Sequence, residues 1–400
     1  MVIRIRSARR AAMLAVILIG YCAGGPSTSA QLPETEFFKL LTKAGVTPEE
    51  LAALKDGGTV AKTLDTKVKQ EITSLGVVRI ENLGPISMLR FRESFDPKQG
   101  EELSSGGRFS DLPSTDDLRD LEISKDDVGQ LIKCTVGNCD LNMPAGFITR
   151  ARSIAGQADP AAAARQLIVE MLVGYAKAYL DRGDAGLGRY ENRRKPVDLT
   201  VSHRELIRGM LFVNDLAPEL AEYLRSFPNG NLENVESRIH WSIVDFGLKP
   251  SITLSHSAAY TQLQVAEEQH FVVSKQFYSS RYLDSSLTLT LLLRVSTGDA
   301  VDTYLVLADR SRSDALEGAL GGFARSVVAK ESSGRISAIL DRAHLRLLAA
   351  SRAAKTPVVI EEERSTIGRF LESRTAVYIA VAAAILAGVG FLLWRWRPIR

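Results

Sequence analysis

Cysteine and proline are sparse in this 400-residue chain, at 3 and 14 residues, and glycine, at 30, falls far short of one residue in three. Three cysteines exclude a disulfide-built scaffold, and so little glycine and proline excludes a collagen-like repeat. A hydrophobic content of 45% against 24% charged residues excludes a disordered class as well. Charge of one sign is also lacking. The net +3 belongs to the ends, since Arg4, Arg6, Arg9 and Arg10 precede residue 31 and Arg395, Arg397 and Arg400 close the chain. Removing those four and three arginines leaves residues 31–375 at −4. A mildly acidic body has no surplus of cations to displace counterions from phosphates, which argues against nucleic acid as a partner. Catalytic signatures are missing too: there is no Gly-x-Ser-x-Gly elbow, no Walker loop and no His-Glu-x-x-His pair.

What the sequence does have is two apolar ends. Arg4 to Arg10 form a basic start, Ala11 to Ala23 an apolar run, and Ser27 to Ala30 a small-residue cleavage site before Gln31. This is the pattern of a secretory signal peptide over 1–30, and the apolar run is too short for a membrane span. Cys22 raises a lipid anchor as an alternative, but Tyr21 is too bulky just before a lipidated cysteine. Ala376 to Trp394 is a 19-residue run without a charge, about 28 Å long as a helix. Tyr378, Trp394 and Trp396 mark its ends. The three arginines beyond it outnumber Arg374, which places residues 395–400 in the cytoplasm. The expectation is a single-pass protein of a bacterial inner membrane, with residues 31–355 in the periplasm and 356–375 as a juxtamembrane linker. Ala380, Ala384 and Gly388 form a small-residue stripe that could pair two copies, although alanine-rich helices produce such stripes by chance.

Export leaves Cys134 and Cys139. In an oxidising compartment a pair in so tight a loop reads as a structural disulfide, contributing roughly 2 kcal/mol by loop entropy. The spacing does not suit haem, a redox pair or zinc, so no cofactor is expected.

Within the body, Thr47-Pro48-Glu49-Glu50 reads as a capping box opening a helix that Gly57-Gly58 stops. Thr59–Asp65 and Val68–Ile80 read as strands, Pro85 as the start of a helix to Phe95, and 96–115 as loop. Residues 114–230 read as helical. Ser124 caps one helix there, and Pro160 to Arg182 forms the clearest, with Asp159 as N-cap and Gly183 as stop. Ser202 to Glu205 reads as a further capping box, and Pro218–Ser226 as another helix. From residue 236 to 310 the period falls to two. Arg238–Phe246, Ser251–Tyr260, His270–Ser280, Ser286–Val295 and Thr303–Asp309 are strands close enough in sequence to pair antiparallel, with Gly298-Asp299 as one turn. A long helix is expected over 313–350, with Ile336, Ile339, Leu340, Ala343 and Leu347 on one face.

The fold class is therefore α+β: an antiparallel sheet with a long C-terminal helix and a large helical insertion. This order of elements resembles the helix-grip (START-like) fold over 59–95 and 236–350, in which a curved sheet wraps a long helix around an apolar cavity. The segments RFSDLPSTDDLRDL from Arg108, CTVGNCDLNMP from Cys134, SKQFYSSRYLD from Ser274 and DRSRSDALEG from Asp309 resemble an uncharacterised family of secreted or membrane-anchored bacterial proteins. That resemblance implies no activity.

Candidate site residues are few. His240, His256 and His270 fall on successive strands and could converge on one sheet face for zinc or base chemistry, but no two have a local ligand spacing, so no metal site is expected. Acids from Asp111 to Asp127 lack calcium-loop spacing and read as a solvated face. Gly183 to Gly188 is glycine-rich but follows a helix, so it reads as a helix stop and not as a phosphate cradle. Ser274 to Asp284 is the most suggestive stretch. Alternation puts Ser274, Gln276 and Tyr278 on one face and Lys275 and Phe277 on the other. If a cavity exists, Lys275, Tyr278, Arg281, Tyr282 and Asp284, with His256 and His270, could orient the polar end of an apolar ligand; the same residues would equally serve as cross-strand pairs. The leading expectation is a non-enzymatic, membrane-anchored binder of lipid or another apolar ligand. The alternative is an envelope scaffold that docks partners on the helical insertion. The weakest is a hydrolase or transferase using His256, His270 and Asp284.

Overall fold

The computed structural model describes residues 32–81, 83, 91, 103–245, 249–264, 267–297, 300–317, 333–334, 336–349 and 351. The signal peptide (1–30), the linker, the span from Ala376 to Trp394 with its stripe Ala380, Ala384 and Gly388, and the turn at Gly298-Asp299 lie outside the described residues. So does the helix expected from Pro85, apart from Phe91, which is helical and buried. Among the described residues no helix is long and apolar enough to cross a membrane.

The described chain is α+β and built on one large, almost entirely antiparallel sheet. Its strands are β1 (Leu32–Pro33), β2 (Thr59–Leu64), β3 (Glu71–Ile80), β4 (Leu103–Arg108), then, after a small ribbon of β5 (Arg189–Tyr190) and β6 (Val197–Asp198), β7 (Val235–Val244), β8 (Ser251–Gln264), β9 (Glu267–Ser279), β10 (Ser285–Thr297) and β11 (Ala300–Arg312). The sheet order is β2-β3-β11-β10-β9-β8-β7-β4, with β1 added in parallel along β10. The meander β7 to β11 follows the alternation in the sequence. The early strand β3 closes against the last strand β11, and β4 against β7.

The helices are α1 (Glu34–Lys43), α2 (Pro48–Lys55), α3 (Lys125–Lys133), α4 (Ala145–Ala151), α5 (Pro160–Arg182), α6 (Leu199–Gly209), α7 (Leu211–Leu216) and α8 (Pro218–Ser226). Helix α2 starts at the Thr47–Glu50 capping box, both halves of which are formed. Helix α3 starts at Ser124, whose hydroxyl accepts from the Asp127 amide. Helix α5 runs from the Asp159 cap to Gly183, which ends it at φ +58. A Cβ at Gly183 would lie 1.9 Å from the Phe227 carbonyl oxygen, so only glycine fits this turn.

Two expectations about local structure are corrected. Residues 103–108 are not loop but strand β4, a Ser/Gly-rich segment of low strand propensity that is held by its pairing to β7. The Ser202 capping box does not form, because Asp198 caps α6 four residues earlier and leaves Ser202 and His203 buried inside the helix.

Cores form on both faces of the sheet. On the first, Leu287, Leu289, Leu291 and Leu293 of β10 are fully buried with Phe271 and Val273 against α1, α2 and α6 to α8. Burial of each such leucine contributes about 1.5–3 kcal/mol. The same face continues over β7 to β9, where Ile239, Trp241, Leu254, Phe277 and Tyr278 pack against α3 to α5. The second face carries a smaller core, in which Ile336, Leu340, Ala343 and Leu347 of the helical segment 336–349 cover Val78, Ile80, Leu292, Leu305 and Leu307. Gly76 in the middle of β3 permits this contact, since a Cβ there would meet the Ile336 and Leu340 side chains at 2.3 and 2.6 Å.

Candidate functional site

The suggestive stretch Ser274 to Asp284 runs along β9 and its turn into β10, and the face it presents differs from simple alternation. Ser255 pairs with Gln276 and Leu254 with Tyr278, so Phe277 is an extra residue on β9. This bulge brings Tyr278 to the same helix-covered core as Phe277 instead of the face of Ser274 and Gln276.

Lys275 and His256 lie opposite one another and point under the helices. Lys275 is 1% exposed; its Nζ donates to Asp184 Oδ1 at 2.9 Å and to the Leu224 carbonyl at 3.3 Å, and stands 5.0 Å from the Tyr179 ring centroid. Asp184 reaches this position because Gly183 stops α5 one residue before it. Burial lowers the pKa of the ammonium, and Asp184 opposes that shift. His203 of α6 completes the group, bonding the Gln276 carbonyl at 2.9 Å with Nε2 while Nδ1 lies 3.9 Å from Asp184.

His256 connects this group to the surface. Its Nδ1 is 2.8 Å from the Tyr179 hydroxyl and its Nε2 2.6 Å from the hydroxyl of exposed Ser237. A serine beside an imidazole resembles a nucleophile and its base, but the protons run the other way. Burial raises the Tyr179 pKa well above its ordinary value, so its hydroxyl stays protonated, and among the described residues His256 is its only hydrogen-bond partner. Tyr179 therefore donates to Nδ1, and Nε2–H donates to Ser237. In that tautomer His256 cannot accept the serine proton. Burial, with Lys275 adding to it, holds the His256 pKa well below the ordinary histidine value.

A second polar node lies around the turn from β9 to β10. Tyr278 donates to the Asn142 carbonyl, and Asn142 Nδ2 donates to the carbonyls of Ser279 and Leu283 at 3.0 and 3.2 Å. Arg281 pairs with Asp127 and Gln130 of α3, so Asp127 belongs to this contact and not to a solvated face. Arg193 reaches Asp284 at 3.1 Å, and Asp284 also accepts from the Asp314 amide at 2.7 Å. Burial raises the Asp284 pKa to about 6 against the pull of Arg193. Tyr282 sits at φ +62, and its hydroxyl accepts from the Lys249 amide. Cys134 and Cys139 are joined as a disulfide, and its loop pairs with the segment carrying Arg193, the Cys139 amide donating to Asn192 O at 2.9 Å.

Of the seven residues singled out in the sequence, the structure thus brings together Lys275 and His256, and separately Tyr278, Arg281 and Asp284, with Tyr282 in the same turn. All but Tyr282, which bonds Lys249, hold the helical insertion onto the sheet. His270 is elsewhere. It lies on the second face, 3.3 Å from Thr261 and 5.7 Å from the Phe91 ring. The three strand histidines do not converge, because the register puts His240 and His270 on the second face and His256 on the first. No group of three or more histidine, cysteine or acidic side chains among the described residues could hold a metal ion.

The second face holds Ser274 and Gln276 together with polar residues of the neighbouring strands that the sequence reading passed over. Two transverse rows across it are polar: Ser311, Ser286, Gln276 and Ser255 in one, and Ser74, Asp309, Thr288, Ser274 and Ser257 in the next. Beyond them the rows become mainly apolar, with Leu307, Thr290, Val272 and Ala259 in one and Val78, Leu305, Leu292 and His270 in the next. Asp309 is half-buried; its Oδ1 accepts from Thr288 at 2.6 Å and its Oδ2 from Ser311 at 2.7 Å. Burial raises its pKa against those two bonds. Ser74 Oγ and Gln276 Nε2 are buried without a hydrogen-bond partner. The sequence signal was present, as Ser274 and Gln276 on β9 and Ser286, Thr288 and Thr290 on β10 alternate with apolar or basic residues, but one strand alone does not reveal that five strands align.

Comparison with known protein families finds no family model that matches this chain, and no curated protein matches it significantly.

Proposed function

We propose that this chain is a membrane-tethered, extracytoplasmic binding protein of helix-grip type, not an enzyme, and that its ligand lies on the second face of the sheet. One observation carries the reading: β3 neighbours the last strand β11, and among the described residues the helical segment 336–349 that follows β11 packs on the apolar rows of that face. In a helix-grip fold the ligand lies between the sheet and this helix. The polar rows beside the helix hold buried groups without partners, Ser74 Oγ and Gln276 Nε2, whereas on the first face Lys275 and Arg281 are each paired with an aspartate of the helical insertion. A lipid or other apolar ligand, the expectation from sequence, would compete with 336–349 for the rows that helix covers. A ligand rich in polar groups would not. The tether and the outward orientation rest on the two apolar ends and their arginines.

The test is native mass spectrometry of the full chain purified in detergent, followed by thermal unfolding with and without the released material. A bound small molecule whose return raises the unfolding midpoint supports the reading. A chain free of bound molecules, with a midpoint indifferent to membrane lipids and to saccharides, contradicts it.

A further inference from the structure

The chemistry of the two polar rows narrows the ligand, on the assumption that the second face is the binding face. Thr288 and Ser311 each spend their single hydroxyl proton on the Asp309 carboxylate, so each has only lone pairs left to offer. Ser74, directly opposite Asp309 on β3 and 1% exposed, adds a hydroxyl with no partner. With Ser74 able to accept as well as donate, the centre of the rows is therefore rich in acceptors around one carboxylate, and no cation of the described residues answers it. The nearest in the same row is Arg238, four strands away at roughly 19 Å, and it faces Glu236 at 3.4 Å. Two strands from Asp309, Gln276 offers an unpartnered amide donor, and Ser286, Ser274 and Ser255 offer hydroxyls between and beyond.

We propose that this surface binds a hydroxylated primary amine of the amino-sugar type, its ammonium seated among Asp309, Thr288, Ser311 and Ser74 and its hydroxyl oxygens reaching the Gln276 amide. An ammonium brings three donors to a site made of acceptors and neutralises a desolvated carboxylate, which a neutral sugar cannot do and an anion would oppose. Burial already strains the Asp309 charge, as its raised pKa reflects.

Isothermal titration of the full chain in detergent, with glucosamine and with glucose, tests the assignment. Glucosamine should bind at least tenfold more tightly than glucose, and Asp309→Asn should abolish that difference. The carboxamide keeps an acceptor for one hydroxyl and removes a desolvated charge, so its unfolding midpoint should not fall. If it does, Thr288→Val, which removes an acceptor without a charge change, should still weaken glucosamine severalfold and leave glucose unaffected. Equal binding of the two sugars, or tight glucosamine binding that survives both substitutions, overturns the ammonium site while leaving a binding face in place. Failure of glucosamine, glucose and membrane lipid alike to bind overturns the ammonium site and the binding reading together.

Discussion

Lys275 illustrates how much a single side chain can be committed to structure. With 1% exposure and Asp184 at 2.9 Å, it is a buried ion whose partner lies 91 residues away in sequence. Lys275→Met should strand Asp184 and cost about 3 kcal/mol in urea unfolding, whereas Lys275→Met with Asp184→Leu should recover most of the loss. Two equally destabilising results would show that the pair contributes packing and not charge. The proton direction at His256 is testable by nitrogen NMR, which should find the Nε2–H tautomer and no titration between pH 8 and 6; a midpoint near 6.5 would make it an available base.

The pH dependence of stability follows from the same residues. Burial lowers the pKa of both His203 and His256. The unfolded chain therefore takes up protons that the native state refuses, and the stability involved is present above about pH 6.5 and lost on acidification. Asp284 acts oppositely. Its pKa of about 6 in the folded state exceeds the unfolded value of about 3.9, so its contribution is full below pH 4 and lost as pH rises through 6. Asp284→Asn should consequently steepen the fall in urea midpoint between pH 6.5 and 4. An unchanged slope would mean that the native carboxyl is not held protonated.

At the scale of elements, Gly76 and the disulfide are the informative positions. Gly76→Val would drive a side chain into Ile336 and Leu340. A cost of about 1–3 kcal/mol is expected, with faster hydrogen exchange confined to 336–349 and its strand contacts. Uniform exchange change across the sheet would contradict the view that this helix docks as a separate layer. Replacing Cys134 and Cys139 with serine should cost about 2 kcal/mol and loosen Arg193 from Asp284, because the disulfide loop pairs with the chain that carries Arg193.

These elements also show where sequence reading succeeds. The long α5 was legible because Asp159, Pro160 and Gly183 are local signals with local causes, and the meander because period-two leucines on β10 face one core. Strand β4 was not legible, since Ser104, Ser105, Gly106 and Gly107 become strand through pairing with β7. The bulge at Phe277 was hidden for a similar reason: it exists only relative to Leu254 and Ser255 on the neighbouring strand. Of the candidate site, the residue types of β9 were visible. The alignment of Ser74, Asp309, Thr288, Ser274 and Ser257 into a row was not, because it depends on register between strands up to 235 positions apart.

At the scale of the whole molecule, a sheet is divided between two tasks. One face is filled by the helices of residues 34–226 and locked by buried ions, and the other carries 336–349 on its apolar rows beside rows of hydroxyls. The proposed binding role rests on this division, because the second face keeps buried polar groups without partners. The tether would hold that surface on the outer side of the membrane. The most direct measurement is labelling of Ser274→Cys in the full chain by a membrane-impermeant thiol reagent, applied to spheroplasts of the expressing bacterium. The account predicts prompt labelling before any membrane is broken, since Ser274 lies within the polar rows and the native pair is already a disulfide. Labelling that requires lysis would place the body inside the cell, and labelling that requires denaturant would show the second face to be closed; either result contradicts the account.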